Sequence, residues 1–161
     1  MDNIKIRPIE PQDNPRLADI IRNTLKEFKA NRPGTVYFDK TTDHLYELFL
    51  GIRGIYHVAV MDGHIIGGAG IYPTAGLNPD TCELVKLYLS PPGRGKGLGK
   101  LLIQKCLSSA IAEGYKKVYL ETMPELITAI PMYEQFGFTY LDGPLGNSGH
   151  NGCAIWMIKL L

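Results

Sequence analysis

The chain has 161 residues, 45% of them hydrophobic, which suits one compact domain over residues 1–161 with a sizeable core. Its 17 basic and 16 acidic side chains leave a formal charge of +1, removing any global electrostatic drive toward nucleic acid or an anionic membrane. Cys82, Cys106 and Cys153 show no pairing pattern and the N-terminal residues are too polar for a signal peptide, so a reduced cytoplasmic protein is expected.

The predicted elements alternate between strand and helix. Ile4, Ile6 and Arg7 begin a short strand that Pro8 stops. Residues 13–30 carry Leu17, Ile20, Ile21, Leu25 and Phe28 at helical spacing, and the turn-forming run at 31–34 ends that helix. Thr41, Thr42 and Asp43 can cap a second helix that reaches residue 50. Apolar runs at 55–61 and 64–72 flank Asp62 and Gly63, a pair that favours a two-residue hairpin. A strand over 82–89 then enters a glycine-rich turn, and the helix that follows, over 97–113, is closed by Gly114. Residues 117–121 read as a strand, 124–136 as a helix, 137–141 as a strand and 153–159 as the last strand. Pro131 falls inside the predicted helix and is expected to kink it or free a carbonyl near Ile127. The antiparallel meander argues against a flavodoxin-like nucleotide binder, whose sheet is parallel and doubly wound.

The glycine-rich turn carries the strongest chemical signal. Gly93, Gly95, Gly97 and Gly99 let successive backbone N–H groups converge on one point, and the following helix adds its free N–H groups and positive dipole end. Arg94, Lys96 and Lys100 supply positive charge there, so a ligand with several phosphates is expected. Such a cluster can also be a plain tight connection. Each glycine, however, adds about 0.5–1 kcal/mol of unfolded-state entropy relative to alanine, a poor design for a mere link.

Spacing separates the families that use such turns. A P-loop read back from Gly99 and Lys100 needs a glycine where Arg94 stands and a hydroxyl where Leu101 stands. The dinucleotide fingerprint, started at Gly93 or Gly95, meets Leu98 or Lys100 in place of its third glycine. The pattern that fits is Arg or Gln, two residues, Gly, one residue, then Gly or Ala, carried by Arg94, Gly97 and Gly99 between a strand and a helix. In this the turn resembles the acyl-CoA loop of the GCN5-related N-acetyltransferases, the GNAT superfamily.

The order of elements resembles that family over nearly the whole chain. The resemblance implies an α/β (α+β) GNAT fold, a central mixed and mostly antiparallel twisted sheet flanked by helices in one domain. Tyr133, Gly137 and Phe138 match the family's Tyr-x-x-x-Gly-Phe, and Glu83 stands on the fourth strand where many members carry a glutamate. Where many members place an asparagine against the CoA arm, this chain has Leu126. By the same resemblance, acetyl-CoA is the co-substrate. The backbone of Leu87, Tyr88 and Leu89 would pair with its pantetheine amides, and Arg94, Gly95, Lys96, Gly97, Leu98, Gly99 and Lys100 would hold its pyrophosphate. Homodimers are common in the family, although the sequence carries no dimer signal of its own.

The implied reaction is direct acyl transfer to an amine, without an acyl-enzyme. A lysine-like amine has a pKa of about 10.4, so neutralising it at pH 7 costs about 4.6 kcal/mol. Glu83 is the candidate base, directly or through water; its other reading is a carboxylate that orients structure or binds a cationic substrate. Tyr133 resembles the tyrosine that donates to the thiolate leaving group; its other reading is an aromatic anchor. Cys82 and Cys106 read as core residues rather than nucleophiles. His150 and Cys153 have the spacing of half a metal site, but no second pair accompanies them and no metal is expected.

The acceptor in this fold enters opposite the cofactor. The polar, glycine-rich loop over 142–152, with His150, and the connection over 31–40, with Tyr37, Phe38 and Asp39, are its candidate walls. The expected function is an acyl-CoA-dependent N-acyltransferase acetylating a primary amine of a small molecule. A non-catalytic CoA sensor and a protein lysine or N-terminal acetyltransferase are the other readings.

Overall fold

The computed structural model describes residues 3–126, 128–149 and 152–161. These form β1 (Ile4–Pro8), α1 (Asn14–Glu27), α2 (Leu45–Leu48), β2 (Ile55–Met61), β3 (His64–Tyr72), β4 (Thr81–Leu89), α3 (Leu98–Ala112), β5 (Lys117–Thr122), α4 (Ile130–Gln135), β6 (Thr139–Leu141) and β7 (Ile155–Leu160). The strands make one seven-stranded sheet in the order β1-β2-β3-β4-β5-β7-β6. Its strand pairs are antiparallel except β4 with β5. Among the described residues no helix is long and apolar enough to cross a membrane.

Each face of the sheet buries one amphipathic helix. Leu17, Ile20, Ile21 and Leu25 of α1, spaced three and four apart, pack with Leu45 and Phe49 against Tyr56, Val58 and Tyr88. On the other face, Leu98, Leu102, Ile103, Cys106 and Ala110 of α3 pack against Ala59, Ala69, Ile71, Leu84 and Val118. The β2–β3 hairpin turns on Asp62 and Gly63, both with positive φ, as its sequence predicts.

Two predicted helices are shorter than their sequence suggests. Residues Lys40–His44 form a 3-10 turn, because the Asp39 carboxylate accepts from both the N–H and the hydroxyl of Thr41 and holds that segment as a cap. Only Leu45–Leu48 is α-helical after it. Likewise, Pro124–Leu126 is a 3-10 turn and α4 begins at Ile130. Pro131 therefore occupies the first turn, where its missing N–H has no intrahelical partner to lose, and no kink is needed.

Two departures from a regular sheet position the site. Strands β4 and β5 pair only from Thr81 to Glu83 against Lys117 to Tyr119 and then part, while each keeps its other neighbour to its end. The second half of β4 therefore presents an unpaired edge inside the sheet. The second departure is a bulge: β3 and β4 slip register between Gly68 and Gly70, and Lys86 takes a φ of 55°. Its carbonyl leaves the ladder and accepts a hydrogen bond of 2.8 Å from the buried Tyr56 hydroxyl. Room for that ring comes from Gly68 and Gly70, where a Cβ would lie 2.5 and 2.8 Å from Tyr56 ring atoms.

Candidate active site

The gap between β4 and β5 is a cavity of about 460 Å³. Its lining comes from β4, the glycine turn, the start of α3, the far end of β5, α4 and the C-terminal part of α1. At one end, Gly95 and Gly97 take φ values of 73° and 76°, and a Cβ on either would meet nothing within 4 Å. Their backbone is thus open to a ligand, in a conformation that favours glycine. Gly97 caps α3, whose first N–H groups and positive dipole end face the same space. Gly99 is small for another reason: a Cβ there would lie 3.0 Å from the Met132 thioether of α4.

The basic residues of the turn are not equivalent. Arg94 donates from Nε to the Leu89 carbonyl at 3.0 Å, lies over the Phe28 ring and pairs bidentately with Glu27 of α1 at 2.6 and 2.8 Å. It fastens α1 to the turn, with much of its charge already answered. Lys100 lines the cavity, whereas Lys96 is exposed and outside the lining.

Midway along the cavity, β4 offers the unpaired backbone of Leu87, Tyr88 and Leu89. Facing it are Leu126, Thr128, Ala129, Met132 and Tyr133, a mostly apolar wall. Tyr133 is buried, stacks edge-on against Phe138 at 5.9 Å between ring centroids, and is held well above the ordinary phenol pKa by desolvation. Its O–H therefore stays protonated at neutral pH and is available as a donor.

Glu83 stands where β4 and β5 begin to part. It is 3% exposed, and Oε1 accepts a hydrogen bond of 2.6 Å from the Thr74 hydroxyl. Across the gap, Glu121 of β5 accepts from Tyr119 at 2.7 Å and from Ser148 at 2.5 Å. Three loops close this end. Asn147 donates its N–H to the Ala75 carbonyl at 2.6 Å, Gly152 donates to the Gly34 carbonyl at 2.8 Å, and Arg32 pairs with Glu125 at 2.8 Å. Cys153 lines the cavity as an uncharged thiol, its pKa pushed up to about 12 mainly by burial.

The chain and its fold have counterparts among known proteins. The Acetyltransferase (GNAT) family matches residues 19–138. The chain belongs to the GNAT family. It is 38% identical over 157 residues to the Escherichia coli K12 protein called uncharacterized N-acetyltransferase YjgM, covering 97% of this chain and 94% of that protein. Its fold matches a GNAT acetyltransferase of Staphylococcus aureus Mu50 with a TM-score of 0.85, over 98% and 99% of the two chains at 20% identity. The PaiA N-acetyltransferase of Thermoplasma acidophilum, solved in complex with coenzyme A, matches with a TM-score of 0.74, over 99% of each chain and also at 20% identity. The chain is an enzyme of the GNAT N-acetyltransferase type.

Within this GNAT enzyme, one cavity gathers Glu83, Tyr133, Leu87, Tyr88, Leu89, Arg94, Gly95, Gly97, Leu98, Gly99 and Lys100. On the acceptor side the lining residue of the α1–α2 connection is Val36; Tyr37 is outside the lining and Phe38 is 58% exposed. His150 lies outside the described residues. Cys82 and Cys106 are core residues of the α3 face, fully buried. Among the described residues no group of three or more His, Cys, Asp and Glu side chains is placed to hold a metal ion. Sequence reasoning missed Lys86, Glu121 and Thr74. A lysine within the apolar run of β4 was the available signal for the first; the other two meet the site only through long-range pairing.

Proposed function

We propose that this GNAT enzyme transfers acetyl from acetyl-CoA directly to the primary amine of a small molecule. The observation that carries the reading is that Glu83 and Tyr133 line one cavity whose far end is the open glycine cradle. The cradle at Gly95 and Gly97, the start of α3 and Lys100 suit a pyrophosphate, and the unpaired edge of β4 suits an arm bearing amides. When bound, acetyl-CoA supplies the acetyl group as a thioester and departs as a thiol.

The chain's own residues then have distinct tasks. Glu83, buried and oriented by Thr74, takes the proton that an ammonium must lose before its nitrogen can attack. Tyr133 donates a hydrogen bond to the leaving sulfur; its burial keeps it neutral and makes outright proton loss costly, so hydrogen bonding is the assigned role. The backbone N–H groups beside the bulge polarise the carbonyl, and the walls hold the two reactants in line. The three interlocked loops at the Glu83 end support a small amine over a protein tail, because they narrow the entrance from the acceptor side.

Calorimetric titration with acetyl-CoA, followed by thiol release across a panel of small amines, tests the reading. Micromolar binding and amine-dependent thiol release are expected. Binding without release for any amine would overturn transfer, and absence of binding would overturn the cofactor assignment.

A further inference from the structure

The bulge in β4 changes which of its side chains share the cavity. In a regular strand, residues 83 and 86 would face opposite sides of the sheet. The extra residue changes that parity, and both line the one cavity. Lys86 is 8% exposed, and its Nζ is buried with no hydrogen-bond partner among the described residues. A buried ammonium with unspent donors is an expensive arrangement when nothing is bound.

Its neighbours act on its charge without satisfying it. Burial lowers the Lys86 pKa from the ordinary lysine value, while the negative fields of Asp39 and Glu83 oppose that shift. Each carboxylate is held by another group, Asp39 by Thr41 and Glu83 by Thr74, and neither comes within hydrogen-bond distance of Nζ. One buried lysine nitrogen thus lies in the field of two fixed carboxylates, on a residue that lines the reaction cavity. A dianion such as phosphate would be repelled by that pair. A ligand bearing one positive and one negative group suits it, with its nitrogen toward Glu83 and its anion on Nζ.

We propose that Lys86 binds the carboxylate of the acceptor, so that the amine acetylated beside Glu83 belongs to an α-amino acid or a close analogue carrying a carboxylate next to its nitrogen. The inference rests on the acetyl-transfer reading and adds the acceptor class to it. Lys86 is a binding residue here, and its side chain takes no proton from the amine.

Matched acceptors test it: L-glutamate, L-methionine and L-phenylalanine against their α-carboxamides, assayed by thiol release with wild type, Lys86→Met and Lys86→Arg. Wild type is expected to favour carboxylates in kcat/KM. In Lys86→Met that preference should fall on the order of tenfold to a hundredfold, mainly through KM, with partial retention in Lys86→Arg. Melting without ligand gives a readout independent of turnover: methionine removes an unpaired buried charge, so Lys86→Met should melt at or above the wild-type temperature. A preference unmoved by Lys86→Met, no use of any carboxylate acceptor, or a clear fall in melting temperature would overturn the assignment. Acetyl-CoA calorimetry on the same samples separates the failures. If wild type does not bind it, the acetyl-transfer reading fails; if it binds and the preference is absent, only the role of Lys86 fails.

Discussion

At the proposed cofactor end of the cleft the groups on offer are mainly backbone, at Leu87, Leu89, Gly95 and Gly97, whereas the proposed acceptor end is defined by side chains, Glu83 and Lys86 on β4 and Glu121 on β5. The two ends therefore respond to different kinds of change. A backbone site tolerates many side chains but fails when a Cβ intrudes or a strand pairing closes. A side-chain site fails on the loss of one functional group while its backbone stays intact. Acetyl-CoA recognition and acceptor chemistry should accordingly separate under mutation.

The largest expected effect lies in the chemistry. Tyr133→Phe removes one oxygen from a ring that keeps its packing against Phe138, and Glu83→Gln keeps the shape beside Thr74. Each should lower kcat by about 10²- to 10⁴-fold, the usual contribution of acid–base groups. Acetyl-CoA affinity, read by calorimetry, should change little in either. An unchanged kcat in Tyr133→Phe would return that residue to the role of aromatic anchor.

Gly97→Glu probes the other end. It forces a side chain onto a φ of 76° and places a negative charge in the cradle. Acetyl-CoA affinity should fall about a hundredfold or more, from strain of about 1–2 kcal/mol together with charge repulsion. Wild-type affinity in this variant would show that the cradle is not where the anion sits.

Tyr56→Phe tests the link between the ends. The Lys86 carbonyl would lose its hydrogen bond from the buried Tyr56 hydroxyl. An unsatisfied buried acceptor costs about 1–3 kcal/mol, so a fall in melting temperature is expected. Because the bulge carries Lys86 and lies directly before the edge at Leu87, Tyr88 and Leu89, cofactor and acceptor KM should rise together. A shift in only one would mean that the ends are independent.

The glycine-turn end of the cavity, proposed to hold the cofactor, was legible in the sequence because its determinants are local. The glycine spacing at 93, 95, 97 and 99, the apolar strand before it and the helical periodicity after it lie within a short stretch of chain. The hairpin at Asp62 and Gly63 was legible for the same reason. The acceptor end was not, since three loops distant in sequence build it through contacts such as Asn147 with Ala75 and Gly152 with Gly34. Pro131 misled because proline inside a helix and proline in its first turn look alike until the preceding segment is known to form a separate turn. The bulge at Lys86 depends on Tyr56, thirty residues away, and on the space left by two glycines of β3.

The smallest expected effect concerns the seam between the ends, where Glu27 of α1 pairs with Arg94 of the glycine turn. Arg94 has two other supports, the Leu89 carbonyl and the face of Phe28, so Glu27→Gln should leave the guanidinium in place and remove only the opposing charge. Partly exposed pairs of this kind are worth about 0.2–1 kcal/mol, which sets the scale of the change. Acetyl-CoA binding should tighten by about twofold to fivefold at low salt, and the gain should shrink as added salt screens the site. Weaker binding would instead assign Glu27 the task of holding Arg94 in position, and the cofactor end would then depend on a side-chain pair as well as on its backbone.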